Sequence, residues 1–297
     1  MLNLSPAAHA AANSAILISG SARSGTTIVG KLVHSFAKLE YMFEPPTLIG
    51  LFSAIDQIPE QQWKFLYETF LYEEFLINAI SGRAINTNRA DDSSIYAAKT
   101  ETDIAYRQQR SWSKADASAL ASDCRVAYKI PNIVPFIPKL QARYPDTAIV
   151  MVLRGALETI HSLLAKKTFT DAFQNSPLAW PYRMHKGQRV PYWVKESDDP
   201  LWGDLREIDR YAYYYIRMHD EQQSAGLQFN LKYELLLDNP RATAEALAEW
   251  LGVSFGPRTD DIIATIKPTR KVLDRDLLNQ ISPEFRSEIA RISRDFG

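Results

Sequence analysis

The sequence predicts an α/β protein, a three-layer α/β/α architecture around a central parallel sheet. Three observations carry that prediction. An apolar β-branched run, Ile16-Leu17-Ile18, stops at Gly20; small residues follow, and Gly25 opens an apolar-periodic helix. AIVMVL (148–153) is apolar throughout, as a strand covered on both faces must be. Strand-like and helix-like segments then alternate along the chain, the pattern of parallel strands joined by helical crossovers.

The elements follow in order. The N-terminal stretch MLNLSPAAHAAANS lacks a basic segment followed by an apolar core and reads as a frayed leader to the first strand. ILISGSARSGTTIVGKLVHS (16–35) combines a strand, a glycine-bounded loop and a helix N-terminus, which together make a phosphate cradle. Its backbone N–H groups point into the loop, and the first helical turn adds the positive end of the helix dipole. The loop is close to G-x-x-x-x-G-K-[ST], so the architecture is of the P-loop type. Gly20 and Gly25 are correctly spaced, but Thr26 stands where the lysine would be, and the fixed cation is Arg23. A kinase or ATPase needs that lysine on the β/γ-phosphates. A protein holding only a 5′-phosphate and one leaving group does not.

Residues 51–123 show no strand pattern and read as a helical insertion, IPEQQWKFLYETFLYEEFLINAI and SKADASALASD around a polar loop at 82–111. RVAYKIP (125–131) is a short strand broken by Pro131, and IVPFIPKLQARY (133–144) supplies a return helix. Arg154 and Gly155 end the 148–153 strand, and ALETIHSLLAKK (156–167) continues at helical spacing. Residues 168–206 look irregular and rich in aromatics and proline, Trp180, Tyr182, Tyr192, Trp193 and Trp202 among them, which marks a lid or acceptor loop. LQFNLKY (227–233) is a further strand, and PRATAEALAEWLGV (240–253) an amphipathic helix closed by Gly252. Residues 1–297 read as a single domain.

Composition narrows the function. A chain of 297 residues that is 46% hydrophobic can bury a large core. A formal net charge of -1 gives no bulk attraction to nucleic acid or to an anionic membrane, so any anion site must be a local cluster. The one cysteine, Cys124, excludes an internal disulfide, fits a reducing cytoplasm and reads as a small buried residue. No apolar run approaches the ~18 residues of a membrane span. Ligands of parallel sheets sit at the carboxyl ends of the strands. Gly20–Thr27, Lys129 and Arg154 all fall there, and three cation-bearing strand ends at one rim form a stronger signal than any motif alone.

These residues resemble the sulfotransferases that use 3′-phosphoadenosine 5′-phosphosulfate. SGSARSGTT is similar to that family's 5′-phosphosulfate loop, and VMVLRGALETIHSLL to its 3′-phosphate motif, an Arg at a strand end and a Ser eight residues later. LKYELLLDNPRATAEALAEWLGV resembles the late Tyr-Glu-Asp-Leu block. VAYKIP with RYPDTAIVMVLRGALETIHSLLAKK is similar to the tyrosylprotein branch and its bacterial relatives. The resemblance implies adenosine 3′,5′-bisphosphate as product, with no metal required. It implies that Arg23, Ser24, Gly25, Thr26 and Thr27 hold the 5′ side, that Arg154 and Ser162 hold the 3′-phosphate, and that Lys129 lies against the sulfate; Arg23 and Lys129 are expected to be catalytic as well, as cations on the bridging oxygen of the leaving phosphate. Lys166, one turn beyond Ser162, extends that helix face; Lys267, in IKPTRK, resembles a late nucleotide-reaching lysine; Tyr233 is expected beside adenine.

The acceptor must lose a proton as it attacks, so a general base is expected. The cytosolic small-molecule branch keeps a histidine before a proline on the strand at 125–131, where this chain departs by carrying Lys129. The tyrosylprotein and carbohydrate branches use a glutamate shortly after the first helix, and Glu44 in YMFEPP stands there. Phe43, Pro45 and Pro46 are expected to desolvate it partly. Plainer readings exist beside these: Arg154 as a helix-start ion pair, Ser162 as a buried hydroxyl, Lys129 as a snorkelling strand-end lysine, Glu44 as a turn cap or the partner of a loop arginine. His34 and His161 read as structural, and His185 has only its place in the lid to recommend it. The expected activity is sulfuryl transfer to a hydroxyl or amine of a small-molecule acceptor such as a secondary metabolite, in the cytoplasm, with no nucleic-acid or membrane partner; a homodimer is left open. The alternatives are a P-loop kinase, a protein-tyrosine or carbohydrate sulfotransferase, or a non-catalytic nucleotide-binding scaffold.

Overall fold

A computed structural model describes residues 5–177, 181–220, 228–268 and 276–295. Among them the strands are, in chain order, β1 (Ile16–Gly20), β2 (Leu39–Phe43), β3 (Arg125–Lys129), β4 (Ala148–Leu153), β5 (Tyr182–His185), β6 (Gln188–Pro191) and β7 (Gln228–Lys232). β1 to β4 and β7 form one five-stranded sheet, order β2-β3-β1-β4-β7, parallel at every pairing. Ile18 sits opposite Lys129 and Val150, and Gly20 opposite Val152, so the strand ends finish level along one rim.

Both faces of the sheet are covered, which is why its central strands are apolar throughout. Leu17, Tyr128 and Met151 face one apolar cluster, with the insertion and the C-terminal helices. Ile16, Ile18, Val150 and Val152 face the other, against Thr26–Ser35 and Pro240–Leu251. Pro240–Leu251 ends at Gly252 in the left-handed region, φ 67°, as its sequence predicts.

Several elements differ from expectation. Pro6–Asn13 is a helix rather than a frayed leader, capped by Ser5 and burying Ala8, Ala11 and Ala12, a small-residue face that lets it pack closely. β2 had no clear sequence signal because its five residues include a buried glutamate, Glu40. Within the insertion, helix Glu60–Glu68 runs on through the π-helical Thr69–Leu76 into Ile77–Ile80, and Lys114–Ala121 follows. The polar loop expected at 82–111 contains a helix, Glu101–Gln109, started by a capping box between Thr100 and Asp103. Residues 168–206 are also more ordered than expected. β5 and β6 form an antiparallel hairpin whose turn residues, Lys186 and Gly187, are both left-handed, as a type I′ turn requires. Trp193 and Trp202 are buried against Phe169 and Tyr214, so part of the aromatic content is core. Trp180 and the first residue of the 227–233 strand, Leu227, lie outside the described residues. Helix Ala156–Leu164 stops short of Lys166, which sits in an exposed turn where Lys167 takes φ 54°.

Candidate active site

Five strand ends deliver five pieces of one cleft. Glu44 follows β2, Lys129 ends β3, the glycine-bounded loop follows β1, Arg154 follows β4 and Tyr233 follows β7. With Ala22, Arg23, Gly25, Thr26, Thr27, Lys31, Pro131 and Ser162 they line a cleft of about 320 Å³.

The loop conformation depends on its two glycines. A Cβ on Gly20, at φ 142°, would stand 2.4 Å from the Val152 carbonyl oxygen. One on Gly25, at φ 101°, would stand 2.2 Å from the Tyr233 ring. Between them Arg23 is left-handed, φ 70°, and the Ser24 N–H donates to the Ser21 carbonyl at 3.2 Å. Tyr214, from helix Glu207–Asp220, accepts from the Ala22 N–H and donates to Asn132 Oδ1, which clamps the loop to the turn after β3. Helix Thr26–Ser35 has no side-chain cap, so its first amides remain open to an anion.

Lys129 is only 2% exposed, floored by the Phe43 ring at 4.1 Å. Its Nζ donates to Thr27 Oγ1 at 3.3 Å and pairs with Glu44 Oε1. Burial lowers the ammonium's pKa below the ordinary lysine range, and the adjacent Glu44 carboxylate opposes that shift. Lys129 is therefore a buried ion-paired cation, not a snorkelling strand-end lysine. Glu44 is left-handed, φ 45°, and its N–H donates to the Lys129 carbonyl at 2.8 Å, extending the ladder one step past the strand ends. Its side chain remains 38% exposed, so the flanking residues enclose it less than expected. Pro45 is buried, but Pro46 starts helix Pro46–Ser53 and faces solvent. That helix takes no side-chain cap, which removes the turn-cap reading of Glu44.

On the other side, Arg154 Nη1 donates to the Arg23 carbonyl at 2.8 Å, and its guanidinium lies over the Tyr233 ring at 4.9 Å. Arg23 Nε donates to Ser162 Oγ at 3.2 Å. Arg154 and Ser162 thus line the same cleft and are linked through Arg23, whose carbonyl accepts from one and whose Nε donates to the other. Among the described residues Arg154 has no carboxylate partner, and its buried Nε has no partner at all. Tyr233 lines the cleft as the support beneath Arg154 and against Gly25.

On the cleft rim Arg154 Nε is a buried donor without a partner, and with the uncapped helix it fits an anionic, phosphate-bearing ligand. Ser21 Oγ and Ser24 Oγ are also unsatisfied, but both serines are buried and neither lines the cleft, so Ser24 does not stand where it was expected. Other expected residues lie elsewhere. Lys166 and Lys267 are exposed and do not line the cleft. His34 is buried beside Tyr41; burial first, then Lys99, push its pKa down to about 3. His161 is half-buried on its helix, and His185 sits on the hairpin, 3.8 Å from Asp199.

Sequence reasoning missed Lys31, Asp92, Asn132 and Tyr214. Lys31 pairs with Asp92 of the insertion at 2.6 Å; it lies four residues after Thr27, so helical spacing placed it on the cleft face. Tyr214 belongs to the apolar series Tyr211, Tyr214, Tyr215, Met218, a helical stripe that was readable. Asn132, at φ 69°, and Asp92 carried no signal. Arg23, Glu44 and Asn132 together make three left-handed non-glycine residues around one cleft, and such conformations cluster at functional sites.

Among the described residues no group of His, Cys, Asp or Glu is arranged to hold a metal, and no helix is long and apolar enough to cross a membrane. Comparison with curated proteins finds no match. Among solved structures the chain is similar to a sulfotransferase from Alicyclobacillus acidocaldarius, at 15% identity over 94% of each chain, TM-score 0.42. It is similar to sulfotransferase STF9 from Mycobacterium avium at 12% identity over 96% of this chain and 76% of that one, TM-score 0.48. The sulfotransferase domain of the Synechococcus PCC 7002 olefin synthase matches at 14% identity over 95% and 93%, TM-score 0.46. A family model described as the sulfotransferase family matches residues 15–257, most of the chain and every strand of the main sheet. On that match the chain belongs to the sulfotransferase family.

Proposed function

We propose that the protein transfers a sulfuryl group from 3′-phosphoadenosine 5′-phosphosulfate to a hydroxyl or amine of a small molecule, in a reducing cytoplasm, leaving adenosine 3′,5′-bisphosphate. The observation that supports it most is the order along the rim: Glu44, Lys129, the anion loop, Arg154 and Tyr233 on adjacent strand ends. When bound, the donor supplies the sulfuryl group: an acceptor oxygen or nitrogen bonds to sulfur as the bond from sulfur to the 5′-phosphate oxygen breaks, and that oxygen keeps the electron pair.

The chain's own residues would divide the work. Loop amides with Thr26 and Thr27 hold the 5′ side; Arg154, Ser162 and Arg23 hold the 3′-phosphate, Arg154 with the donor atom that lacks a protein partner. Lys129 neutralises charge gathering on the leaving oxygen, and as a buried cation it does so in a low-dielectric place where charge counts most. Glu44, oriented by Lys129, takes the acceptor proton. The kinase reading lacks the loop lysine, and a scaffold needs no Glu44 facing Lys129. Thermal scanning with adenosine 3′,5′-bisphosphate against ATP plus magnesium tests the proposal. Stabilisation by the bisphosphate is expected; stabilisation by ATP with magnesium alone overturns it.

A further inference from the structure

Helix Glu207–Asp220 carries Tyr214 and Tyr215 side by side, and their hydroxyls reach three strand ends of the cleft. Tyr214 accepts from the Ala22 N–H after β1 and donates to Asn132 Oδ1 after β3. Tyr215 donates to the Arg154 carbonyl after β4, at 3.1 Å. β3, β1 and β4 are neighbours in the sheet, so two consecutive side chains span all three ends. Further bonds close the frame. Arg154 Nη1 donates back to the Arg23 carbonyl at 2.8 Å, and the Asn132 N–H donates to the Gly20 carbonyl at 3.2 Å.

Neither tyrosine lines the cleft, so each acts through the segment it holds. Both are buried. Tyr214 packs on Phe169 and Trp193, with ring centroids 4.9 Å away in each case, and Tyr215 lies on His219 at 4.0 Å. Burial raises both phenol pKa values, so each hydroxyl keeps the proton it donates. A buried phenol needs a hydrogen-bond partner somewhere. Here all three partners belong to the segments that carry Arg23, Lys129 and Arg154, and that choice points to the site.

We infer that Tyr214 and Tyr215 are positioning residues that fix the span between the two phosphate subsites. Tyr214 sets the loop on the 5′ side, and Tyr215 sets Arg154 on the 3′ side. The inference rests on the proposed use of a donor phosphorylated at both positions. Without its hydroxyl, either segment is free to leave the binding geometry. Apparent affinity then falls by the fraction of protein still holding that geometry.

The test uses the full chain with Tyr214→Phe and Tyr215→Phe, which keep the rings. Calorimetric titration compares adenosine 3′,5′-bisphosphate with adenosine 5′-monophosphate. Tyr214→Phe should weaken both nucleotides about tenfold, because both carry the 5′-phosphate. Tyr215→Phe should weaken the bisphosphate about three- to tenfold and leave the monophosphate within about twofold of the wild type. Lower thermal stability with unchanged affinities, or equal losses for both nucleotides in Tyr215→Phe, overturns the inference. Hydrogen exchange of the ligand-free wild type reads the clamp without any variant. The Ala22 N–H should exchange at least about tenfold more slowly than the Thr27 N–H, which the uncapped helix start leaves open. Equal exchange would show that the Tyr214 hydroxyl does not hold the loop. A wild type that binds neither nucleotide overturns the proposed function; a wild type that binds the bisphosphate, with variants that bind it equally well, overturns this inference alone.

Discussion

Glu44 and Lys129 meet as an ion pair across the cleft, yet their expected roles separate cleanly by pH. Glu44→Gln should keep bisphosphate affinity and fold while turnover falls about 10²–10⁴-fold and the acidic limb of the pH–rate profile disappears. Turnover near the wild-type value would pass the proton to another group. Lys129→Met should lose turnover at every pH. Because burial lowers the Lys129 pKa, the wild-type rate should decline on an alkaline limb below the ordinary lysine range, and Lys129→Arg should shift that limb upward. On the opposite side of the cleft, Arg154→Ala should weaken bisphosphate binding by roughly 2–4 kcal/mol, the scale of a charged contact whose phosphate partner is left unpaired. Calorimetric titration reads it, and an unchanged affinity would show that Arg154 does not hold the nucleotide. Lys129 and Arg154 were legible because strand ends placed them; Glu44 was singled out only by the family resemblance, since the strand it follows carried no signal. Tyr233 was legible as a cleft residue, but its place under Arg154 comes from Gly25, which has no Cβ to hold the ring away.

The helical insertion shows what an element needs beyond its own pattern. Its helix positions followed from apolar spacing at Trp63, Tyr67 and Leu71, all buried. What ties its far end to the sheet is a buried cluster with no local signature. Glu40 of β2, 3% exposed, receives Arg107 Nη1 and Nη2 at 2.9 and 2.7 Å, with Lys99 at 3.4 Å. Burial raises the Glu40 pKa, but Lys99 and the Arg107 hydrogen bonds outweigh it and hold the carboxyl at about 2. Glu40→Gln strands two cations in the interior and should destabilise the protein by about 3–5 kcal/mol in urea unfolding. A loss under about 1 kcal/mol would mean that apolar packing alone anchors the insertion. The same cluster explains why β2 was not readable: a glutamate in a five-residue strand looks like a loop until its partners arrive from residues 99 and 107.

For the whole molecule, buried titratable groups set the response to acid. His34 is held to about 3 and His219 to about 4, in both cases chiefly by burial, against an ordinary value of 6.5. A folded-state pKa below the unfolded one gives stability that is complete above pH 6.5 and lost as pH falls toward the folded value. Glu40 acts in the same direction from 4.5 down to about 2. The melting temperature should therefore hold steady above pH 6.5 and decline continuously toward pH 4, and His34→Gln should flatten the first part of that decline. A melting temperature that rises over this interval would contradict the burial of the two imidazoles.

The sequence by itself determined the parallel sheet, the anion loop and the cations at the strand ends. Apolar runs, glycine spacing and strand–helix alternation are local properties, each decided within a few residues along the chain. Only the tertiary structure decided which ends stand side by side. The order β2-β3-β1-β4-β7 brings Glu44 beside Lys129, Arg154 beside Tyr233, and Asp92 of the insertion onto Lys31, while it leaves Lys166 and Lys267 outside the cleft. It also folds much of the aromatic segment into core around Trp193 and Trp202 and leaves Tyr182 and Tyr192 to line a cavity. Pairings between residues that distant are set by strand order and by burial shared across the whole core, and no local spacing encodes either.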